Sequence, residues 1–460
     1  MISYDDLTRE EMISLLAAQQ STVQELLARV SQLEALLNQR NGPSSGGPPS
    51  AGSARTVPHF VKPNTKSKDS VRRKKRSQSF VRKREFPTET VQHFPDHCSH
   101  CQRKLSGGSQ HSSRQVLEIP HSPIRIIEHQ FMACKCGVCG HREIARPNLS
   151  DVAIGKSRFG IKLVSLIAHL DTMCRMPIRS IQLLLESLYQ LHLSTGGIVE
   201  ILHRVALQGK TAYEELLQEV RTSKVVHADE TGARENGVNG YEWSFSTPEV
   251  RYYIRSPSRG GSVPKEVLGE AFAQVLVTDF YGGYNWYGGL HQYCWVHFWR
   301  DLRKLKEDHS ENTSVASWVD AVWNLHQEAK RFKSTNVLAR RDQRRELQTK
   351  ILQLARPYLY ASVPQNTLAK RIKKYIGGLF TFVEHPEVPS ENNAAERAIR
   401  PFVILRKVSG GTKSKKGSDT QAVLMSLLGT WKLRGLNTIE ECATMLATNQ
   451  KHSHKTQLAK

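Results

Sequence analysis

The segment KVVHADET, Lys224 to Thr231, begins the part of the chain whose alternating apolar and polar residues are typical of β-strands. Two further strands are predicted from GYEWSFST and VRYYIRS, then a helix from VPKEVLGEAF, and a fourth strand from QVLVTDFYGGY. Strands that follow one another directly pair antiparallel, whereas a helix between two strands makes a parallel crossover. The sequence therefore predicts a mixed α/β sheet in this region.

Two aspartates occupy matching positions in the predicted sheet. Asp229 is expected at the end of the first strand and Asp279 at the end of the fourth. A right-handed crossover makes those strands neighbours, so both carboxylates are expected at one rim. An aspartate after a strand is most often a turn former, so a metal site needs further acids beside it. Glu230 points to the opposite face from Asp229 if the strand continues.

A later helix supplies a third acid. Pro401 is expected to end the helix that the segment ENNAAERAIRP forms. Its residues at spacings of three and four share one face, namely Asn393, Glu396, Arg397 and Arg400. Glu396 is a candidate metal ligand, and the alternative is an intrahelical pair with Arg400 of only about 0.3–0.5 kcal/mol. Arg397 and Arg400 either bind DNA phosphate or form salt bridges within the core.

A basic loop follows this helix. It is GGTKSKKGSD, Gly410 to Asp419, and it is expected to be flexible. Its lysines Lys413, Lys415 and Lys416 are candidates for binding a phosphate backbone. Another helix is predicted after it, from Asp419 to Leu433.

The composition favours a polyanionic partner. The 460 residues carry 65 Lys and Arg against 43 Asp and Glu, a formal net charge of +22. Each phosphate that such a surface neutralises releases condensed counterions, so nucleic acid is the first candidate and an anionic membrane the second. There is no run of 18 or more apolar residues, and acids near the N-terminus argue against a signal peptide. We expect an intracellular protein of roughly two to four domains, with no membrane partner.

The first 90 residues are predicted to dimerise the chain and to bind DNA. Residues 1–40 carry a heptad repeat of Leu16, Val23, Val30 and Leu37, with Leu26 and Leu33 between them. This favours a parallel coiled-coil dimer, or else one amphipathic helix docked on its own domain. Residues 41–90 join a Gly-, Pro- and Ser-rich linker to a basic arm centred on Arg72, Arg73, Lys74, Lys75 and Arg76. The arm is expected to bind the DNA backbone, with a solvated charged run and a nuclear address as the alternatives.

Two CxxC pairs predict a zinc site in residues 91–148. The four candidate ligands are Cys98, Cys101, Cys136 and Cys139. Four thiolates can close a tetrahedron around Zn²⁺, and clustered cysteines of this kind do not suggest a disulfide framework. Cys134 is a spare that could replace Cys136, and fortuitous thiols are the alternative. The residues between the pairs alternate as strands do, so a small zinc ribbon is expected.

Residues 149–222 are predicted to be helical. PIRSIQLLLESL and TGGIVEILHRVA are separated by a short turn, with Ser194 or Thr195 capping the second helix. This is the outline of a helix-turn-helix, whose second helix would enter a major groove; packing alone is the alternative. Residues 223–435 are assigned to the sheet domain with a helical insertion at about 300–385, and residues 436–460 to a C-terminal helix and tail. The fold class is multidomain α+β.

Three carboxylates in a polyanion-binding protein suit phosphodiester chemistry. Carboxylate oxygens are hard ligands of the kind that Mg²⁺ prefers, and Mg²⁺ also binds substrate phosphate. Two such ions, roughly 3.5–4 Å apart, can activate a water or a 3′-hydroxyl and stabilise the leaving oxygen. Asp229, Asp279 and Glu396 are therefore the predicted ligands of two Mg²⁺ or Mn²⁺ ions.

Four motifs resemble the IS-sixty-six family of DDE transposases. They are HADET, VLVTDFYGGYN, CWVHFWRDL and ENNAAERAIRP, in that order, and the likeness extends from about Leu7 to Trp431. The resemblance implies a ribonuclease H-like core with a helical insertion before the last acid, and a DDE triad of Asp229, Asp279 and Glu396. It also implies cleavage and strand transfer at the terminal inverted repeats of an insertion sequence. A prokaryotic, nucleoid-associated protein that acts on double-stranded DNA as a homodimer or larger assembly, with or without accessory proteins, is the corresponding expectation.

The sequence departs from that family pattern at three positions. Glu391 replaces an Asp and competes weakly for the role of third acid, Phe280 replaces a Gly, and Trp299 stands where an Arg is common. His297, in the CWVH motif, either contacts DNA or a metal-bound water or packs in the core. Two other functions stay open: a DNA-binding protein without catalysis, and a structure-specific nuclease that cleaves but never joins ends.

Overall fold

The structure is a computed structural model that describes Gln24 and residues 86–116, 124–139, 141–145 and 147–458, with side chains up to residue 448. The chain divides into two compact units, Met1–Leu117 and Glu118–Lys460, and each is described by itself. The predicted coiled coil, apart from the helical residue Gln24, lies outside the described residues, as do the linker and the basic arm from Arg72 to Arg76.

Each CxxC pair lies in a tight turn of its own unit. In the first unit, the amide of Cys98 donates to the carbonyl of Arg103 (2.8 Å), and that of Gln102 donates to the carbonyl of Cys98 (2.9 Å). In the second unit, strands β1 (Ala133–Lys135) and β2 (Arg142–Ile144) flank the other pair and run antiparallel.

The alternating segment between the CxxC pairs is mostly not a strand, contrary to the prediction. Within its described part, residues 124–132 form no strand, and only Ala133–Lys135 does. Ile126 is 94% exposed and Phe131 51% exposed, so this segment has no core face to pack on. Alternation favours a strand chiefly when one face is buried, and that condition is missing here.

Four helices come next, as predicted for residues 149–222: α1 (Ile161–Thr172), α2 (Ile178–Tyr189), α3 (Thr195–Gln208) and α4 (Lys210–Thr222). Helix α3 begins after Ser194, whose hydroxyl accepts a hydrogen bond from the amide of Gly197 (3.0 Å). Such a cap satisfies one of the free amides of the first turn. Ser194, one of the two predicted caps, therefore sets the start of α3.

The mixed sheet has five strands: β3 (Val225–Glu235), β4 (Val238–Ser246), β5 (Arg251–Ser256), β6 (Val275–Thr278) and β7 (His291–Tyr293). Their order is β5-β4-β3-β6-β7, with antiparallel pairs among β3, β4 and β5 and parallel pairs of β6 with β3 and with β7. Helix α5 (Ser262–Leu268) crosses between β5 and β6, as predicted. The short strand β7 is an addition that the sequence reading lacked.

A tight hairpin joins β3 to β4 and lengthens both. Asn236 and Gly237 have φ angles of 49° and 82°, the positive values that a two-residue hairpin turn needs. The strand β3 thus continues to Glu235, and Asp229 lies in its middle, not at its end as predicted. The physical reason is that β4 extends the pairing beyond the point where the parallel pairing with β6 stops at His227.

A helical insertion follows β7, as predicted. Its helices are α6 (Trp295–Asp308), α7 (Thr313–Arg331), α8 (Val337–Ala355), α9 (Asn366–Tyr375) and α10 (Thr381–Glu384). They bury a separate hydrophobic cluster that includes Phe298, Val319 and Leu347. The insertion starts and finishes at neighbouring points, because the amide of Trp295 donates to the carbonyl of Ser390 (2.9 Å).

The helix that carries the third acid does not end at Pro401, contrary to the prediction. Helix α11 spans Asn393–Ser409 with Pro401 inside it. A proline in a helix removes one backbone hydrogen bond, but Phe402 and Leu405 beyond it are buried against Tyr253 of β5. The hydroxyl of Tyr253 also donates to the carbonyl of Ala398 (2.7 Å), in the turn before the proline. Packing and this bond offset the cost of Pro401.

Two helices complete the described chain. Helix α12 (Lys415–Leu433) begins four residues before the predicted Asp419, because the hydroxyl of Ser414 caps the amide of Gly417 (3.1 Å). Half of the predicted flexible loop is therefore helical, and the amide of Thr412 is bonded to the carbonyl of Arg234 (3.0 Å). Helix α13 (Thr438–Leu458) follows.

One hydrophobic cluster connects helices α1–α4 with the sheet. It includes Ile167, Ile181 and Ile198 of the helices together with Val226 and Phe245 of the sheet, all of them fully buried. The separate domain boundary at residues 222 and 223 stays a prediction. In the part of the chain that the structure describes, no helix is long and apolar enough to span a membrane.

Candidate active site

Asp229 lies in β3, and Asp279 directly follows the neighbouring strand β6. The parallel register of β3 and β6 pairs Val225 with Val275 and His227 with Val277, and its continuation by two residues brings Asp229 level with Asp279. Each carboxylate is fixed by a local backbone amide: Asp229 accepts from the amide of Glu230 and Asp279 from that of Tyr281, both at 2.9 Å. This register supports the expectation that the two acids share one rim of the sheet.

The environment of Asp229 disfavours its charge. Burial, followed by the nearby carboxylates of Glu230, Asp279 and Glu396, raises the pKa of Asp229 to about 7. Each acid contributes to this shift because like charges oppose ionisation at short range. The negative charge gathered at this rim is stabilised best by a cation.

Glu396 lies in the first turn of α11, facing the start of α6. Its Oε1 is 3.6 Å from Nδ1 of His297, and no ion pair with Arg400 occurs among the described residues. Both atoms are buried without a hydrogen-bond partner there. Glu396 is thus not the intrahelical partner of Arg400, and His297 lies at the acidic rim and not only in the core. Glu391, the competing acid, precedes α11 and is half-buried.

Asn392 ties the third acid to the sheet, and the sequence reading gave it no role. Its Oδ1 contacts Nδ1 of His227 (2.9 Å), and its Nδ2 donates to the carbonyl of Ala228 (2.8 Å). Its backbone amide donates to Sγ of Cys294 (3.1 Å). These bonds join β3, the start of α6 and the start of α11, so they fix Glu396 relative to Asp229. The only sequence signal is the position of Asn392 immediately before the helix.

Glu230 occupies the other face of β3, as predicted. Its Oε2 accepts from the hydroxyl of Tyr284 (2.6 Å), and its Oε1 accepts from Nε and Nη2 of Arg259 (3.0 and 2.8 Å). Tyr284 is fully buried and the side chain of Glu230 is 2% exposed. Every oxygen of Glu230 therefore has a protein donor, which fits a structural role.

Two of the three residues that depart from the family pattern, Phe280 and Trp299, pack against the core of the helical insertion. Phe280 stacks on Tyr293 with ring centroids 5.3 Å apart, and Trp299 packs on Trp323 at 4.0 Å. Neither residue replaces an acid of the rim.

A tighter group of ligand atoms involves only one of the three acids. Among the described residues, Cys294, His297 and Glu396 have one ligand atom each within 4.8 Å of the others. Asp229, Asp279 and Glu396 are not grouped this closely. A wider spacing is compatible with two ions roughly 3.5–4 Å apart, because each ion then takes its own subset of the oxygens.

The CxxC turns favour ionisation of their first cysteines. The backbone amides of Cys101 and His100 lower the pKa of Cys98, and those of Cys139 and Val138 lower the pKa of Cys136. Cys134 lies on β1, where its register partner is Glu143. The two turns belong to separate units, and a shared zinc ion stays a prediction.

The candidate DNA-binding side chains differ in whether they already form an ion pair with an acid. Arg397 and Arg400 are exposed on α11, and no ion pair with either occurs in the described part of the chain. Lys415 is paired with Asp419 (3.0 Å) and Lys416 with Glu200 (3.5 Å), whereas Lys413 is exposed before α12.

The outer face of α3 gives limited support to groove binding. Its exposed Arg204 is paired with Glu200 (3.2 Å), which also contacts Lys416. The other exposed side chains of α3 include Val199 and Leu207, which carry no charge. The helical outline is confirmed, and its entry into a major groove stays a prediction.

Comparisons with known proteins agree with the resemblance of the motifs. The chain is 29% identical over 194 residues to the uncharacterized protein y4jO of Sinorhizobium fredii, covering 42% of this chain and 58% of that protein. It is 26% identical over 277 residues to the uncharacterized protein y4jD of the same organism, covering 51% of this chain and 52% of that protein. The chain thus spans just over half the length of these curated relatives. The family described as Transposase IS66 family matches residues 156–420, which include the whole sheet and all three acids, and the chain belongs to this family.

Proposed function

We propose that this protein is a DDE transposase that cleaves DNA at the terminal inverted repeats of an insertion sequence and joins the ends to a target. The observation that carries the proposal is the register of β3 and β6, which aligns Asp229 with Asp279, together with the carboxylates of Asp279 and Glu396 that raise the pKa of Asp229. The sheet order, three antiparallel strands followed by two parallel ones, supports a ribonuclease H-like core.

The donor set at this rim fits divalent magnesium or manganese. Asp229, Asp279 and Glu396 offer carboxylate oxygens only, and Oε1 of Glu396 is buried with no hydrogen-bond partner among the described residues. These three residues would hold the ions. When bound, two such ions activate a water or a 3′-hydroxyl and stabilise the oxygen that leaves the scissile phosphate.

The protein residues around the acids position the carboxylates and the DNA phosphates. Asn392 and the amides of Glu230 and Tyr281 hold the carboxylates in place. The exposed guanidinium groups of Arg397 and Arg400 on α11 are suited to grip phosphates beside the scissile bond, since a guanidinium forks onto two oxygens. Positioning of this kind supplies much of the rate enhancement in phosphoryl transfer.

The remaining regions are proposed to bind zinc and DNA and to assemble the dimer. The thiolates of Cys98, Cys101, Cys136 and Cys139 suit a structural Zn²⁺, because backbone amides already favour the ionised sulfur in each CxxC turn. Residues 1–40 are proposed to dimerise the protein. Salt-dependent contacts with double-stranded DNA would come from the arm of Arg72 to Arg76 and from Lys413, together with the paired Lys415 and Lys416.

The test is cleavage and joining of DNA that carries the terminal repeats flanking the gene. With Mg²⁺, the full chain is expected to yield both nicked and joined products, and Asp229→Asn or Asp279→Asn to lower the rate by about 10³-fold or more. Asp342→Asn, on the exposed face of α8, is the matched control and should leave the rate unchanged. Undiminished cutting by both active-site variants would refute the triad, and cutting without joining would indicate a nuclease.

A further inference from the structure

The beginning of helix α6 carries a second set of ligand atoms that the proposed reaction does not use. Cys294 immediately precedes the helix and His297 lies in its first turn. The sulfur of Cys294, a ring nitrogen of His297 and a carboxylate oxygen of Glu396 all lie within 4.8 Å of one another. One ion could therefore contact all three.

The sulfur of Cys294 lies between the start of α6 and the start of α11. Cys294 is fully buried, and the backbone amide of Asn392 donates to its sulfur (3.1 Å). Burial raises the pKa of this thiol, and the neighbouring backbone amides offset only part of that effect. An amide donor of this kind also stabilises a metal-bound thiolate, since it offsets the negative charge.

The other two ligand atoms lack hydrogen bonds. Nδ1 of His297 and Oε1 of Glu396 are buried, and neither has a partner among the described residues. Their separation of 3.6 Å is too long for a hydrogen bond between them. A buried polar atom left in this state costs about 1–3 kcal/mol, so a ligand that satisfies both atoms would be favoured.

We propose that Cys294, His297 and Glu396 bind one borderline-soft divalent ion of the Zn²⁺ class, with the fourth position open to water. Sulfur, imidazole and carboxylate together are ligands that zinc accepts, whereas Mg²⁺ prefers oxygen alone. Binding would release the thiol proton of Cys294 to solvent, as thiolate coordination requires.

Occupation of this site would affect the acidic rim through Glu396. A carboxylate held by zinc is no longer free for the ions at Asp229 and Asp279. Zinc is therefore expected to inhibit Mg²⁺-dependent DNA cleavage, a consequence that rests on the function proposed above. Binding of the ion itself does not depend on that function.

The binding test uses the full chain and cobalt as a spectroscopic substitute for zinc. Wild type should bind one more equivalent of Co²⁺ than Cys294→Ala or His297→Ala, and its sulfur-to-cobalt absorption should exceed that of both variants, in which the remaining absorption comes from the four CxxC thiolates. Cys174→Ala and His309→Ala, at exposed positions, are the matched controls and should keep the extra equivalent. His297→Ala also guards against misfolding of the buried cysteine variant, because His297 is only half-buried. Equal stoichiometry and equal spectra in wild type and His297→Ala would overturn the site.

The inhibition test compares zinc sensitivity with each variant's own zinc-free rate. The Zn²⁺ concentration that halves Mg²⁺-dependent cleavage should rise at least about tenfold in Cys294→Ala and in His297→Ala, because even the loss of a residue that only supports a ligand weakens metal binding about 10–100-fold. An unchanged zinc sensitivity would refute the regulatory role. If the protein cleaves no DNA under any condition, the function proposed above fails while the cobalt measurement still decides the metal site.

Discussion

Asp229 and Glu230 are adjacent in the chain and both are largely buried, yet they face opposite sides of strand β3 and have different hydrogen-bond donors. Glu230 is paired with Arg259 and Tyr284, which satisfy both of its oxygens. Asp229 has one backbone donor and several carboxylates nearby. The difference teaches that an acid with a complete set of protein donors stabilises the fold, whereas an acid gathered with like charges is available for an external cation.

The largest expected effect distinguishes the third acid of the rim from its neighbour in the chain. Glu396→Gln should lower Mg²⁺-dependent cleavage about 10³-fold, since a metal ligand with a charge is lost. Glu391→Gln, the matched control, should change the rate less than about threefold, because no contact of Glu391 with Asp229 is observed. The measurement is the initial rate of strand cleavage. Equal losses in the two variants would contradict the assignment of Glu396.

The next effect tests the structural role of Glu230. Glu230→Ala leaves the hydroxyl of the fully buried Tyr284 without its acceptor, and it leaves the guanidinium of Arg259 without its partner. The free energy of unfolding should fall by about 3 kcal/mol, measured by urea denaturation. Glu249→Ala, whose side chain is exposed, should change it by less than about 0.5 kcal/mol. If the Glu230→Ala protein were as stable as wild type, the structural role of Glu230 would be refuted.

The smallest expected effect is a gain in the free energy of unfolding when Asp229 is replaced. In metal-free protein at pH 8, Asp229→Asn should raise the free energy of unfolding by about 2 kcal/mol, because it removes a disfavoured buried charge. The pKa of Asp229 is about 7 in the folded state against 3.8 for the free side chain, so folded wild type binds more protons between those values and loses stability as the pH rises. The advantage of the variant should therefore shrink as the pH falls from 7 towards 4. A constant difference over this range would show that charge is not the cause.

The sequence was sufficient for the elements that local patterns determine. Alternating residues predicted β3, β4, β5 and β6, and the crossover rule predicted that Asp229 and Asp279 would be neighbours. Helices α2 and α3 and the cap at Ser194 follow from apolar spacing and from a hydroxyl in the right place. Periodicity and turn chemistry act over a few residues, so they are visible without the fold.

The features that the sequence did not predict depend on contacts between distant parts of the chain. The continuation of helix α11 past Pro401 needs Tyr253, which lies far away in sequence. The three-residue strand β7 exists only because β6 lies beside it. In the candidate site, Asn392 and Cys294 stand in motifs that the sequence reading quoted, but their roles could not be predicted, since these consist of bonds that form after the insertion has folded.

The bonds of Trp295 to Ser390 and of Asn392 to Cys294 close the helical insertion into a loop whose two ends touch. The helices between these ends bury an apolar cluster of their own, while Val388 packs against Val225, Val275 and Val277 of the sheet. The spacing of Asp279 and Glu396 is consequently independent of how many helices lie between them. A shorter or longer bundle joined to the same two ends would leave the acids in register, which makes this part of the protein an exchangeable module.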